Sequence, residues 1–82
     1  MHFYVYMLVT VDERKISYVG YTTNLKKRLF LHNNSKGAKF TRGRKWKVVY
    51  KKRYKSKINA LREEYRLKKN YKLRNLYKLN SN

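Results

Sequence analysis

Ile16-Ser17-Tyr18-Val19-Gly20-Tyr21-Thr22-Thr23-Asn24-Leu25-Lys26-Lys27-Arg28 is the stretch where an extended run gives way to a helix. Residues 16–21 are apolar, aromatic and β-branched, so they read as a strand. Gly20 inside that run marks a close backbone approach or a bulge. Thr23 or Asn24 then caps a helix, because its side-chain oxygen can accept from an orphan backbone N–H. The helix covers residues 25–33. Working backward, residues 3–11 are rich in Phe, Tyr and Val and read as a first strand. Asp12-Glu13-Arg14-Lys15 is a polar break, short enough to make an antiparallel hairpin the simplest arrangement. Working forward, residues 34–45 form a loop with Gly37, Gly43 and five basic residues: Lys36, Lys39, Arg42, Arg44 and Lys45. Residues 46–54 read as a third strand. Ser56 caps a second helix to about residue 69. Leu73, Leu76 and Tyr77 give residues 71–79 the spacing of a third helix. The order is β-β-α-β-α-α, an α+β arrangement in one domain over residues 1–80.

Charge is the strongest compositional fact. Twenty-three Lys and Arg against four Asp and Glu give a formal +19. Self-repulsion on that scale destabilises a compact state, and a polyanion partner relieves it by counterion release. A disordered basic tail is a poor reading for most of the chain, because 16% aromatic and 41% apolar content is enough for a core. The basic residues are not gathered on one long amphipathic helix, which argues against a membrane surface. With 82 residues, the chain buries only roughly 60–65% of the surface its unfolded form exposes, so stability is marginal. There are no cysteines, so neither disulfides nor a cysteine zinc site can help. No apolar run has the length of a signal or a membrane span. The expectation is a soluble protein, cytoplasmic or nucleoid-associated.

On a helical wheel, Leu25, Arg28, Leu29 and His32 share an arc of about 100°. Arg28 and His32 are neighbours one turn apart. A cation beside an imidazole favours its neutral form, a proton acceptor. The wheel alone also admits a plain surface arginine and a helix-end histidine near the C-terminal dipole. In the second helix, Asn59, Arg62, Glu63 and Arg66 form a polar arc. Ile58, Ala60, Leu61, Tyr65 and Leu67 make up the rest, with Glu64 among them. Glu63 therefore reads as solvated and Glu64 as turned inward, where a carboxylate needs a partner or a cation. That partner is either a lysine such as Lys68, one turn on, or a divalent metal; Mg²⁺ is often held by only one or two carboxylates plus waters and phosphates. Asp12 and Glu13 belong to the hairpin turn. With no spaced cluster of acids, a two-metal site is not expected. Most of the nine tyrosines serve packing. Tyr6 and Tyr18 stand apart because a hairpin brings them side by side, next to the first helix.

Together these residues resemble the GIY-YIG endonuclease family, in its small single-domain bacterial form. Tyr4-Val5-Tyr6 matches the first signature and Tyr18-Val19-Gly20 the second. The departures are Tyr4 for the first glycine and valine for both isoleucines. Residues 22–34 look like the family's arginine-histidine helix, residues 36–50 like its following loop and strand, and Ala60-Leu61-Arg62-Glu63-Glu64-Tyr65 like its metal-binding helix. The resemblance implies a three-stranded antiparallel sheet flanked by helices and a metal-dependent endonuclease. It further implies hydrolysis of DNA to a 5′-phosphate and a 3′-hydroxyl, with RNA left open as substrate. Glu64 would hold Mg²⁺ or Mn²⁺. Tyr6 or Tyr18 would orient or deprotonate water with help from His32, and Arg28 would stabilise the transition state. The family's further asparagine has candidates in Asn70 and Asn75. Lys36, Lys39, Arg42, Arg44 and Lys45 are expected to track the phosphate backbone. Phe40 and Trp46 are candidates for stacking on unpaired bases; packing is the alternative for Trp46. Without a recognition domain, selectivity for a structure or a single strand is expected. The competing readings are a non-catalytic basic nucleic-acid-binding module and a nuclease subunit that needs a protein partner or a homodimer.

Overall fold

The computed structural model describes residues 2–80. The strands are β1 (Phe3–Thr10), β2 (Ser17–Thr22) and β3 (Trp46–Tyr54); the helices are α1 (Leu25–Asn33), α2 (Lys57–Lys69) and α3 (Tyr71–Leu79). The β-β-α-β-α-α order is as expected. Both pairings are antiparallel and β1 is the middle strand, in the order β2-β1-β3. Val5 to Thr10 are all buried, because helices cover both faces of this strand. Val5, Met7 and Val9 join Val19, Ala60 and Leu67 on the side of α2 and α3. Tyr6, Leu8 and Trp46 lie on the opposite side, with Leu25 and Leu29 of α1. Each fully buried Val, Leu or Met contributes about 1.5–3 kcal/mol by leaving water.

The turn between β1 and β2 is tied by its own polar groups. The Thr10 hydroxyl donates to Asp12 Oδ1 at 2.7 Å and accepts from the Ile16 N–H at 3.1 Å. Those bonds end β1 at Thr10 and start β2 at Ser17, so Val11 and Ile16 lie in the turn instead of in strands. Tyr6 pairs with Gly20 on one side and with Lys51 on the other. Gly20 is a close approach, and the bulge is elsewhere. Met7 faces Tyr50 while Leu8 faces Val48, leaving Val49 as the extra residue. That insertion keeps Val48 on the α1 side while Val49 and Tyr50 both pack on the α2 side.

Asn24, not Thr23, caps α1, its side chain accepting from the Lys27 N–H at 3.1 Å. Ser56 and Asn70 cap α2 and α3 in the same way. The C-terminal end of α1 is clamped to the start of β3. Asn33 accepts from the Trp46 N–H at 2.6 Å and donates to the Trp46 carbonyl at 3.2 Å. The connection between them contains a short 3-10 turn, Lys39–Thr41.

The inward face of α2 differs from the expectation. Ile58, Leu61 and Tyr65 are 64%, 39% and 61% exposed, and only Ala60 and Leu67 are buried. The face toward the sheet runs through Ala60, Glu63, Glu64 and Leu67, so both acids are half-buried. Ala60 is fully covered; its small side chain lets the helix backbone come close to the sheet.

Candidate active site

Four of the five expected catalytic side chains meet on the α1 side of the sheet. Tyr6 comes from β1, Tyr18 from β2, and Arg28 and His32 from α1. Tyr6 Oη lies 2.8 Å from His32 Nε2. The Tyr18 ring leans on the imidazole at a centroid distance of 5.1 Å and on the Tyr6 ring at 6.5 Å. His32 is fully buried and Tyr6 is 1% exposed. Two glycines make this packing possible. A Cβ on Gly20 would stand 2.5 Å from Tyr6 Oη and 3.1 Å from Tyr18 Cε2, and one on Gly37 would overlap His32 Nδ1.

Burial decides the protonation states. It pushes the Tyr6 phenol up to about 12, against an opposing pull from the Arg28 guanidinium. The same burial, together with the Arg28 charge, pushes the His32 imidazole below its ordinary 6.5. At neutral pH the phenol is protonated and the imidazole is neutral. Arg28 is held in its charged form chiefly by Tyr6, with Tyr18 adding to it. Its Nε is buried with no hydrogen-bond partner among the described residues.

Glu64 is placed differently. Its helix packs on the other side of the sheet, and its carboxylate pairs with Lys68 Nζ at 3.4 Å. No hydrogen bond joins it to Tyr6, Tyr18, Arg28 or His32, but its charge reaches Tyr6 and helps raise that phenol. Glu63 pairs with Arg66 at 3.2 Å and acts on Tyr50 and Tyr54 instead. No group of three or more His, Cys, Asp or Glu could hold a metal ion among the described residues. One carboxylate suits an ion that keeps its waters and takes substrate phosphates as further ligands; it does not suit an all-protein cage.

In the basic loop, Lys36, Lys39 and Arg42 are exposed. Arg44 sits over the Phe40 ring at 5.7 Å. Lys45 is engaged in the fold, donating from Nζ to the Asn33 carbonyl at 2.7 Å. Trp46 is 3% exposed and its indole N–H donates to the Thr41 carbonyl at 3.0 Å, so it is a core residue and cannot stack on a base. Phe40 is 52% exposed and stacks on Tyr18. Asn70 is occupied as the cap of α3, and Asn75 is half-buried on that helix. A cleft of about 770 Å³ lies between α1 and β3 rather than at the phenols; Lys26, Lys51, Lys52 and Arg53 line it. The reading from sequence passed over Thr41, which is fully buried. Its hydroxyl lies 2.8 Å from His32 Nδ1.

The sheet order and the cluster of two tyrosines, an arginine and a histidine agree with what sequence comparison finds. Residues 2–78 match the family described as the GIY-YIG catalytic domain. The chain belongs to that family, a nuclease family. Within it, the chain is similar to the small proteins called UPF0213. One from Oceanobacillus iheyensis is 48% identical over 66 residues, covering 79% of this chain and 74% of that protein. One from Clostridium perfringens is 48% identical over 67 residues, covering 80% and 70%. The solution NMR structure of a UPF0213 protein from Bacillus halodurans superposes with a TM-score of 0.55 at 38% identity, covering 96% of this chain and 85% of that one. No helix among the described residues is long and apolar enough to cross a membrane.

Proposed function

We propose that this protein is a metal-dependent endonuclease that hydrolyses DNA phosphodiester bonds, acting on a structure or a single strand. The observation that carries the reading is the 2.8 Å bond between Tyr6 Oη and His32 Nε2 beside Arg28. Tyr6 takes a proton from the attacking water while its own proton passes to His32 Nε2. The two transfers are coupled. Moving the Tyr6 proton to His32 alone is uphill, because burial raises the phenol and lowers the imidazole. The water oxygen bonds to phosphorus, and the bond to the 3′ oxygen breaks. That oxygen takes a proton from solvent, leaving a 5′-phosphate and a 3′-hydroxyl, and the site resets as His32 returns its proton to Tyr6 while Tyr6 gives one to solvent. Arg28 binds the non-bridging oxygens through its guanidinium as negative charge grows on them.

Glu64 is the residue that would hold Mg²⁺ or Mn²⁺. When bound, the ion supplies positive charge at the scissile phosphate and at the leaving oxygen. Lys36, Lys39, Arg42 and Arg44 contact phosphates, and Phe40 offers a ring to an unpaired base. One observation favours a non-catalytic binding module instead: Lys68 already neutralises Glu64. The deciding experiment is a cleavage panel of single-stranded, duplex, flap and junction DNA, with and without Mn²⁺. Metal-dependent cutting of any member supports the enzyme. Binding throughout with no cutting supports the module.

A further inference from the structure

The geometry points to Thr41 as the positioning residue that decides which nitrogen of His32 carries the proton. Three contacts of the same length run through the buried centre. Tyr6 Oη lies 2.8 Å from His32 Nε2, His32 Nδ1 lies 2.8 Å from Thr41 Oγ1, and Thr41 Oγ1 lies 2.8 Å from the Ala38 carbonyl oxygen. The Ala38 oxygen can only accept. The single hydroxyl hydrogen of Thr41 is therefore spent on Ala38, and Thr41 Oγ1 can only accept from the imidazole. His32 must then carry its hydrogen on Nδ1. A neutral imidazole has one N–H, so Nε2 is left bare and faces the Tyr6 hydroxyl as an acceptor. One assignment satisfies all three contacts, and it aims the proton of Tyr6 at His32.

The surroundings hold this arrangement in place. His32 and Thr41 are both fully buried, so bulk water is not at hand to replace a missing partner. Thr41 closes the 3-10 turn, its N–H also donating to the Ala38 carbonyl at 3.1 Å. Its own carbonyl accepts from Trp46 Nε1 at 3.0 Å. Gly37 lets the loop lie flat on the Nδ1 edge of the ring, where any side chain would overlap it. If Thr41 turned its hydrogen toward Nδ1 instead, the Ala38 carbonyl would lose that bond. The imidazole would then present an N–H to Tyr6 and could not accept its proton. Thr41 touches neither water nor phosphate; it acts through His32.

The consequence for cleavage rests on the nuclease reading above, but the tautomer does not, and the test separates them. Two-bond ¹⁵N–¹H correlation of the imidazole nitrogens at pH 7.5, on the whole protein, reports the tautomer directly. The exposed His2 serves as the solvent reference. His32 is expected to be protonated on Nδ1 in the wild type and in Thr41→Ser. In Thr41→Val it is expected to shift toward the Nε2–H form. A wild-type His32 protonated on Nε2 overturns the proposal, and so does a folded Thr41→Val with an unchanged tautomer. Should Thr41→Val fail to fold, the wild type and Thr41→Ser still decide. In cleavage assays Thr41→Val is expected to lose about 10²-fold in kcat, with Thr41→Ser retaining most of it. Wild-type protein that shows the Nδ1–H form yet cuts no DNA would sink the nuclease reading and leave the tautomer assignment standing.

Discussion

Gly20 stands directly across the sheet from Tyr6, and the phenol occupies the space a side chain at position 20 would need. The nearest atoms to an added Cβ are Tyr6 Oη at 2.5 Å and Cζ at 2.7 Å. The Tyr6 ring is boxed in and cannot swing aside cheaply. Gly20→Ala should therefore destabilise the protein by about 1–3 kcal/mol, the usual range for overpacking. It should also lengthen the bond to His32 and depress cleavage. Urea unfolding and a cleavage assay on the same preparation check both; a variant of wild-type stability and rate would show that the ring has room after all.

Arg28→Ala should lower kcat by about 10²-fold or more, because it removes a donor aimed at charge that forms during reaction. DNA affinity should change little, since one cation among so many is lost. If affinity falls while kcat holds, Arg28 belongs to the binding surface.

Glu64→Ala should abolish metal-dependent cleavage while DNA binding stays intact or tightens. Its ion pair with Lys68, which is 54% exposed, contributes at most about 1 kcal/mol, so the variant should fold. Unchanged cutting with Mn²⁺ would remove the proposed metal role.

Stability should fall on both sides of a neutral plateau. His32 is depressed below 6.5 in the folded chain, so the unfolded chain binds more protons just below that pH. Its contribution is complete above pH 6.5 and is lost as pH drops through the folded value. Tyr6 and Tyr54 are raised from 10.0 to about 12; their contributions are complete below pH 10 and are lost between 10 and 12. Cleavage should show an acidic limb below pH 6.5 as His32 takes a proton from solvent. Unfolding curves from pH 5 to 8 that stay flat in His32→Asn but slope in the wild type would locate the effect.

Replacing Lys36, Lys39 and Arg42 with Gln should weaken DNA binding and reduce the salt slope by up to about 0.7–0.9 per lost contact. Lys45→Gln should instead act on stability, because that side chain holds the Asn33 carbonyl. Titrations at roughly 50 and 200 mM salt distinguish them; equal effects of all four would undo the division.

The order of elements was legible because each one has a local cause. Val, Phe and Tyr runs make the strands, Asn24 and Ser56 supply caps, and the turn at Asp12 is built from its own side chains. Tyr6, Tyr18, Arg28 and His32 were legible through one hairpin register and one helical turn. Which side of α2 turns inward was legible only in part: Ala60, Glu64 and Leu67 face in as expected. A wheel ranks Ile58, Leu61 and Tyr65 as the apolar side, yet the sheet meets the side with the smallest residue, Ala60, and brings Glu63 and Glu64 with it. The placement of Thr41 was out of reach, and for Trp46 the sequence left packing and stacking both open. Both depend on how an irregular loop folds back over α1, and no period or spacing encodes that path.

β1 is hydrogen-bonded on both edges and covered on both faces. Its amides should be among the last to exchange with deuterium, opening only with the whole domain. The segment around Thr41 has a single short turn and several exposed neighbours, so it should exchange much sooner. Tyr6 is thus mounted on a strand bonded along both edges, and the orientation of its histidine partner is governed from the loop between α1 and β3. A local opening of that loop would free the imidazole from Thr41 and leave the strand that carries the phenol intact.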